Sequence, residues 1–147
     1  MIEDVTKDLS NYDTSLFLTL NAFTNDSIKF EAQIEKLIRW LNYFCYGRSF
    51  KNNIKGLKSV GASEIGNVNQ GLHMHLIIMH KNDTKRTIKD IEHFIRRKWY
   101  KLLNVNPKAC KAGSLVDLQI AYDVEGCLSY ITKTFYHKPN QFNLQYF

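Results

Sequence analysis

Proline and glycine are scarce, two and seven residues in a chain of 147, which leaves no room for a flexible linker between separately folded parts. Cysteine is scarcer still. Cys45, Cys110 and Cys127 are odd in number, far apart and form no C-x-x-C pair, so neither a disulfide framework nor a zinc knuckle is spelled out. Three reduced thiols fit a cytosolic protein. The opening Met-Ile-Glu-Asp-Val-Thr-Lys-Asp is acidic and lacks an apolar centre, so no signal peptide is expected. Nowhere does an apolar run reach the roughly 18 residues of a membrane span.

What is present is an ordinary globular balance, 44% apolar and 23% charged, which rules out wholesale disorder. The length predicts one domain over residues 1–147, large enough to bury a core without a metal or disulfide. Lys and Arg outnumber Asp and Glu by 20 to 14, a formal charge of +6. That excess favours an anionic partner, of which nucleic acid is the commonest; a merely soluble basic surface has the same composition.

Residues 15–21, SLFLTLN, follow the turn-forming Asn11–Asp13 and predict a first strand. From 28 to 46, Phe30, Ile34, Leu37, Ile38, Leu41 and Phe44 keep helical spacing, and Gly47 supplies the stop. A basic loop with Arg48, Lys51, Lys55 and Lys58 comes next, then two strands, 57–65 and 72–79, joined through Gly66-Asn67-Val68-Asn69-Gln70-Gly71. Asn82-Asp83-Thr84 offers a cap for a second helix to about Leu103, with Ile88, Ile91, Ile95, Trp99 and Leu102 as its buried stripe. Lys89, His93, Arg97 and Lys101 make a basic ridge on another face of that helix. A last strand, 115–122, and a helix capped by Asp123 and running from Val124 to about Tyr136 complete the order. The expectation is an α+β fold: an antiparallel sheet with flanking helices, a ferredoxin-like β-α-β-β-α-β core plus a terminal helix.

Three segments could carry chemistry. In Gly71-Leu72-His73-Met74-His75-Leu76, strand alternation puts His73 and His75 on one face and their neighbours on the other. Two neutral imidazoles at that spacing can chelate one divalent metal. The pair reads equally as two polar residues on the wetter face of an edge strand. If the hairpin is symmetric about Val68–Asn69, Glu64 stands opposite His73 and supplies a carboxylate, and a one-residue slip destroys the match. A mixed nitrogen–oxygen site of this kind suits Mn²⁺ or Mg²⁺ and could take Zn²⁺, Co²⁺ or Ni²⁺ in vitro. On the terminal helix, Val124, Cys127, Leu128, Ile131 and Phe135 form the buried stripe, and Tyr130 and Lys133 share another flank with Thr134 and His137 close by. A phenol, with an ordinary pKa of about 10, needs activation to serve as a nucleophile. The third segment, Phe17-Leu18-Thr19-Leu20-Asn21, is by itself only a buried strand.

In this order the three resemble the motifs of the HUH-type endonucleases, in the branch that initiates rolling-circle replication in small phages and plasmids. Phe17–Asn21 is similar to the first motif, His73-Met74-His75 to the His-hydrophobe-His metal motif, and Tyr130-Ile131-Thr132-Lys133 to Tyr-x-x-Lys. The resemblance implies a sheet of about five antiparallel strands, with a metal site on one face and the tyrosine helix beside it. It implies His73 and His75 as ligands of Mn²⁺ or Mg²⁺ with Glu64 as the third, Tyr130 as nucleophile, and Lys133 as its helper. It further implies nicking and joining of single-stranded DNA at a replication origin near a hairpin, through a 5′-phosphotyrosine, in the host cytoplasm. Tyr136 is six residues on from Tyr130 and about 240° round the helix, a poor second nucleophile. Gly56–Ser63 has the two glycines of a P-loop, but Ala62 replaces its lysine, so no helicase domain is expected and unwinding and synthesis fall to a separate helicase and polymerase. Arg48, Lys51, Lys55, Lys58, Lys89, Arg97 and Lys101 are candidates for DNA backbone contacts, and equally ordinary solvated cations.

Two other functions remain compatible with these residues. A tyrosine transposase of the same superfamily would share the histidines and the tyrosine. A non-catalytic ferredoxin-like nucleic-acid-binding module would need stacking aromatics on the strand that here carries histidines. A purely structural metal protein leaves Tyr130 and Lys133 without a purpose.

Overall fold

The computed structural model describes residues 14–65, 71–80, 83–109, 115–137 and 144–147. In chain order these are β1 (Thr14–Asn21), α1 (Ser27–Tyr46), α2 (Arg48–Lys51), β2 (Lys58–Ile65), β3 (Leu72–His80), α3 (Ile88–Leu103), a 3₁₀ turn (Pro107–Ala109), β4 (Val116–Ile120), α4 (Val124–His137) and β5 (Leu144–Tyr146). All strand pairs are antiparallel, in the order β4-β1-β3-β2-β5. The first four strands have the ferredoxin-like order, and β5 extends the sheet beyond β2.

Alternation divides the sheet into two faces. Leu16, Leu18 and Leu20 of β1 and Leu72, Met74, Leu76 and Ile78 of β3 point to one, where α1 and α3 cover them in the main core with Phe30, Ile34, Leu37, Ile95 and the fully buried Trp99. The other face carries a smaller core, in which Leu128 and Ile131 of α4 pack on Val60, Ala62, Ile77 and Met79. Phe17, Val124 and Cys127 border it.

Local chemistry accounts for the helix ends. Asp26 caps α1 by accepting from the Lys29 amide, and Gly47 at φ +54° ends it, its N–H donating to the Tyr43 carbonyl. For α3 the expected cap is displaced. Thr87 is the N-cap, in a reciprocal box with Asp90, whereas the Thr84 hydroxyl donates to the Cys45 carbonyl and Asp83 accepts from the Tyr46 hydroxyl. Those outside partners remove Asp83 and Thr84 from the helix start, and Asn82 lies outside the described residues. Ile91, Ile95 and Trp99 are buried as expected, joined by Phe94 and Tyr100, while Ile88 and Leu102 sit at the core margin. Asp123 caps α4 through the Gly126 amide.

The basic segment after α1 is not a plain loop. Arg48–Lys51 forms the short α2, and Lys58 already belongs to β2. Gly56–Ser63 leads into and forms most of that strand rather than a phosphate-binding loop. The hairpin linker 66–70, the turn 11–13, Cys110 and the side chains of Thr134, Phe135 and His137 lie outside the described residues. No helix among the described residues is long and apolar enough to cross a membrane.

Candidate metal centre and its neighbouring tyrosine

β3 is the middle strand of the five, not an edge, and this decides the surroundings of its histidines. His73 is flanked by Asn21 on β1 and Glu64 on β2; His75 is flanked by Thr19 and Ala62. The Glu64–His73 pairing is the one the symmetric hairpin predicts. The small Ala62 side chain leaves the space over β2 to Glu64.

Glu64, His73 and His75 each offer a ligand atom, and these atoms all lie within 4.8 Å of one another. One carboxylate oxygen of Glu64 serves both rings, at 2.5 Å from Nε2 of His73 and 3.2 Å from Nε2 of His75. The rings stand nearly perpendicular, with centroids 5.1 Å apart. Two imidazole nitrogens and a carboxylate oxygen this close together could hold one divalent cation. The side chains of Glu64 and His73 are about one-fifth exposed, so the cluster communicates with solvent.

His75 is the most deeply set of the three and its second nitrogen is occupied. Nδ1 lies 3.0 Å from the Thr19 hydroxyl. With Nδ1 held there, Nε2 is the atom left to face Glu64 or a cation, an outer-shell arrangement that fixes the orientation of the ring. Burial pushes the His75 pKa below its ordinary value of 6.5; the nearby His73 adds to this, and Glu64 opposes it. A neutral imidazole is the form that binds metal.

α4 brings the tyrosine to this cluster. The Tyr130 ring meets His75 edge-on at 5.0 Å between centroids and Phe17 edge-on at 6.1 Å. Phe17 lies parallel to His75 at 5.7 Å, so the three rings form one contiguous group. Tyr130 keeps 44% exposure, and the Lys133 ammonium sits 3.9 Å from the centre of its ring. Tyr130 and Lys133 therefore share a flank of α4 as their three-residue spacing predicts, while Thr132 turns inward and donates to the Leu128 carbonyl.

The first strand contributes more than its sequence suggests. Thr19 and Phe17 touch His75, although a short apolar run carries no sign of chemistry. The available signal was positional: in a ferredoxin-like order β1 borders β3, and alternation then puts the odd-numbered residues of β1 on the histidine face.

The cations are distributed differently. Lys89, Arg97 and Lys101 are exposed on α3, which the sheet separates from the tyrosine. Arg48 and Lys51 lie on α2, and Lys55 reaches Asp83 at 3.9 Å. Lys58 shares the Glu64 face of β2 but stands six residues along the strand, roughly 20 Å away. None of the seven joins the metal cluster, because each belongs to the opposite layer or to the far end of its strand. Compared with known proteins, the chain matches no family model, no curated protein and no solved structure.

Proposed function

We propose that this protein nicks and rejoins single-stranded DNA through a covalent 5′-phosphotyrosine, as a single-tyrosine HUH-type replication initiator acting at an origin in the host cytoplasm. The observation that carries this reading is the contact chain from Glu64, His73 and His75 to Tyr130 and Lys133, which joins a triad that could hold a metal to a half-exposed phenol with an ammonium on its ring. A metal-binding structural protein or a stacking module needs no such phenol.

Glu64, His73 and His75 would hold the divalent cation, which supplies Lewis-acid stabilisation of charge on the scissile phosphate. The chain's own residues do the rest. The Tyr130 oxygen loses its proton and attacks phosphorus in line; the new P–O bond to Tyr130 forms as the bond to the 3′ oxygen breaks, and that oxygen takes up a proton. Lys133 places positive charge against the phenol as its oxygen becomes anionic. Phe17 backs the His75 ring and Thr19 holds its Nδ1, keeping Nε2 directed at the triad. The phosphotyrosine preserves the phosphodiester's energy, so attack by a 3′ hydroxyl reverses the step and joins strands. A separate helicase and polymerase would use the exposed 3′ end.

The test is an adduct assay on a denaturing gel, with Mn²⁺ and labelled single strands from the replicon's intergenic region. The expected result is a protein–DNA adduct that disappears in Tyr130→Phe and in EDTA. An adduct that survives in Tyr130→Phe would move the nucleophile elsewhere. Salt-sensitive binding without any adduct would leave a binding module and overturn the mechanism.

A further inference from the structure

The side of the sheet away from Tyr130 carries an aromatic and basic groove of its own. Between α1, α2 and α3 lies an open groove of about 580 Å³, in the size range of small-ligand sites. Trp40, Tyr43 and Phe50 line it with Arg39, Lys51 and Lys98. The stacked pair Phe44 and Phe94, 4.3 Å apart at 15°, also lines it, with the Arg86 guanidinium 4.1 Å from the centre of the Phe44 ring. Tyr43 is 58% exposed, unusual for an aromatic without a partner to cover it.

The cations are arranged on the aromatic surface rather than neutralised. Lys36 and Lys98 lie 5.0 and 5.2 Å from the centre of the Trp40 ring. Among the described residues the cation–carboxylate pairs are Lys55–Asp83, Glu92–Arg96 and those of the two site histidines, and none involves the groove. No described carboxylate lines it. Flat apolar faces interleaved with unpaired cations match a ligand that alternates planar rings with one negative charge per unit, which is the chemistry of an unpaired nucleic-acid strand. An acidic peptide would meet the charge and leave the ring faces unmatched.

We infer that the groove between α1, α2 and α3 binds single-stranded DNA, with bases stacked on Tyr43 and its neighbours and phosphates at Arg39, Lys51 and Lys98. The choice of DNA as the anion rests on the nuclease reading. The groove and the tyrosine lie on opposite sides of the sheet, so the groove holds strand flanking the nick rather than the scissile phosphate.

The test measures fluorescence anisotropy of a labelled twelve-residue oligothymidylate with the full chain in EDTA, where no cleavage intervenes. Tyr43→Ala is expected to weaken binding about 5- to 100-fold, as loss of one stacked base does. Arg39→Glu with Lys98→Glu is expected to weaken it at least about tenfold and to reduce the slope of log affinity against log salt by about 1.4, for two phosphate contacts. A control of equal charge change, Lys29→Glu with Lys108→Glu, should stay within about twofold. Matched circular dichroism and melting establish that each variant is folded. Unchanged binding in the groove variants, or an equal loss in the control, would overturn the inference. So would displacement of the oligonucleotide by polyglutamate at lower charge concentration than by unlabelled oligothymidylate, which would assign the groove to an acidic protein. Groove-dependent binding with no adduct in the denaturing gel sinks the nuclease alone. An adduct together with groove-independent binding sinks only this inference.

Discussion

Thr19 is the residue whose role is least apparent from its own chemistry. Its hydroxyl occupies Nδ1 of His75, so Thr19→Val, nearly the same shape, removes the hydrogen bond while leaving the strand packed. Loss of an outer-shell partner typically costs about 10- to 100-fold in metal affinity, and Mn²⁺ titration by calorimetry should show a fall in that range with an unchanged far-ultraviolet spectrum. His75 itself makes a second prediction. Its folded pKa lies below the unfolded value of 6.5, mainly through burial, so between the two values the unfolded chain binds the extra proton. The metal-free protein should therefore hold its full stability from this group above pH 6.5 and lose it as pH falls toward the depressed value. Urea midpoints measured in EDTA between pH 7.5 and 5 should fall, and His75→Gln should remove part of that slope. Glu64 opposes the shift, so Glu64→Gln should carry the loss to still lower pH.

At the scale of elements, the site depends on how closely β2 lies against β3. A Cβ on Gly61 would stand 2.5 Å from the His75 carbonyl oxygen and 2.5 Å from Cδ2 of Leu76. The backbone oxygen cannot move aside cheaply, so Gly61→Ala should push the strands apart near the register that pairs Ala62 with His75. About 1–3 kcal/mol of destabilisation is expected from denaturant titration, with weakened Mn²⁺ binding. On α4, Leu128→Ala empties a buried contact and should cost about 2–5 kcal/mol at that helix. Because His73, His75 and Glu64 belong to the sheet, the metal should still bind while adduct formation falls, and the two readings separate the layers. These elements also mark where sequence reading succeeds. Alternation in His73-Met74-His75 and the symmetry of the hairpin suffice for the Glu64 pairing, since a strand repeats every two residues. The start of α3 was not legible, because Thr84 and Asp83 are good cap residues diverted to Cys45 and Tyr46, partners 39 and 37 residues away in the chain.

At the scale of the whole molecule, the ferredoxin-like order was legible from the succession of elements, whereas the fifth strand was not. Three paired residues, Leu144–Tyr146, are too few to show a period, and β5 exists because β2 offers it an edge. The basic residues are the plainest case of missing information: periodicity shows that Lys89, Arg97 and Lys101 share a helix face, but only the packing of α3 shows which side of the sheet they occupy. Binding of a cation to the folded state alone should raise the stability of the entire chain. At a hundredfold excess over Kd this amounts to about 2.7 kcal/mol, or roughly 5–10 °C in Tm for a domain of this size. A melting curve in Mn²⁺ against EDTA should show that rise, and His73→Ala should abolish it.

Among the described residues the two cores differ in extent, and the difference has a mechanical meaning. Under the proposed mechanism a DNA strand joined to Tyr130 would pull on α4, whose hold on the sheet among the described residues centres on Leu128 and Ile131 against Val60, Ala62, Ile77 and Met79, with Val124, Cys127 and the Tyr130 ring at its border. Glu64, His73 and His75 stand on β2 and β3, and α1 and α3 pack on the other face of that sheet. Tension on such an end should part the Tyr130–His75 ring contact and lift α4 before it separates β2 from β3, because the part with less buried surface opens at lower free energy. In the proposed mechanism the tethered end would swing outward with α4 and return to a triad held in place by the sheet.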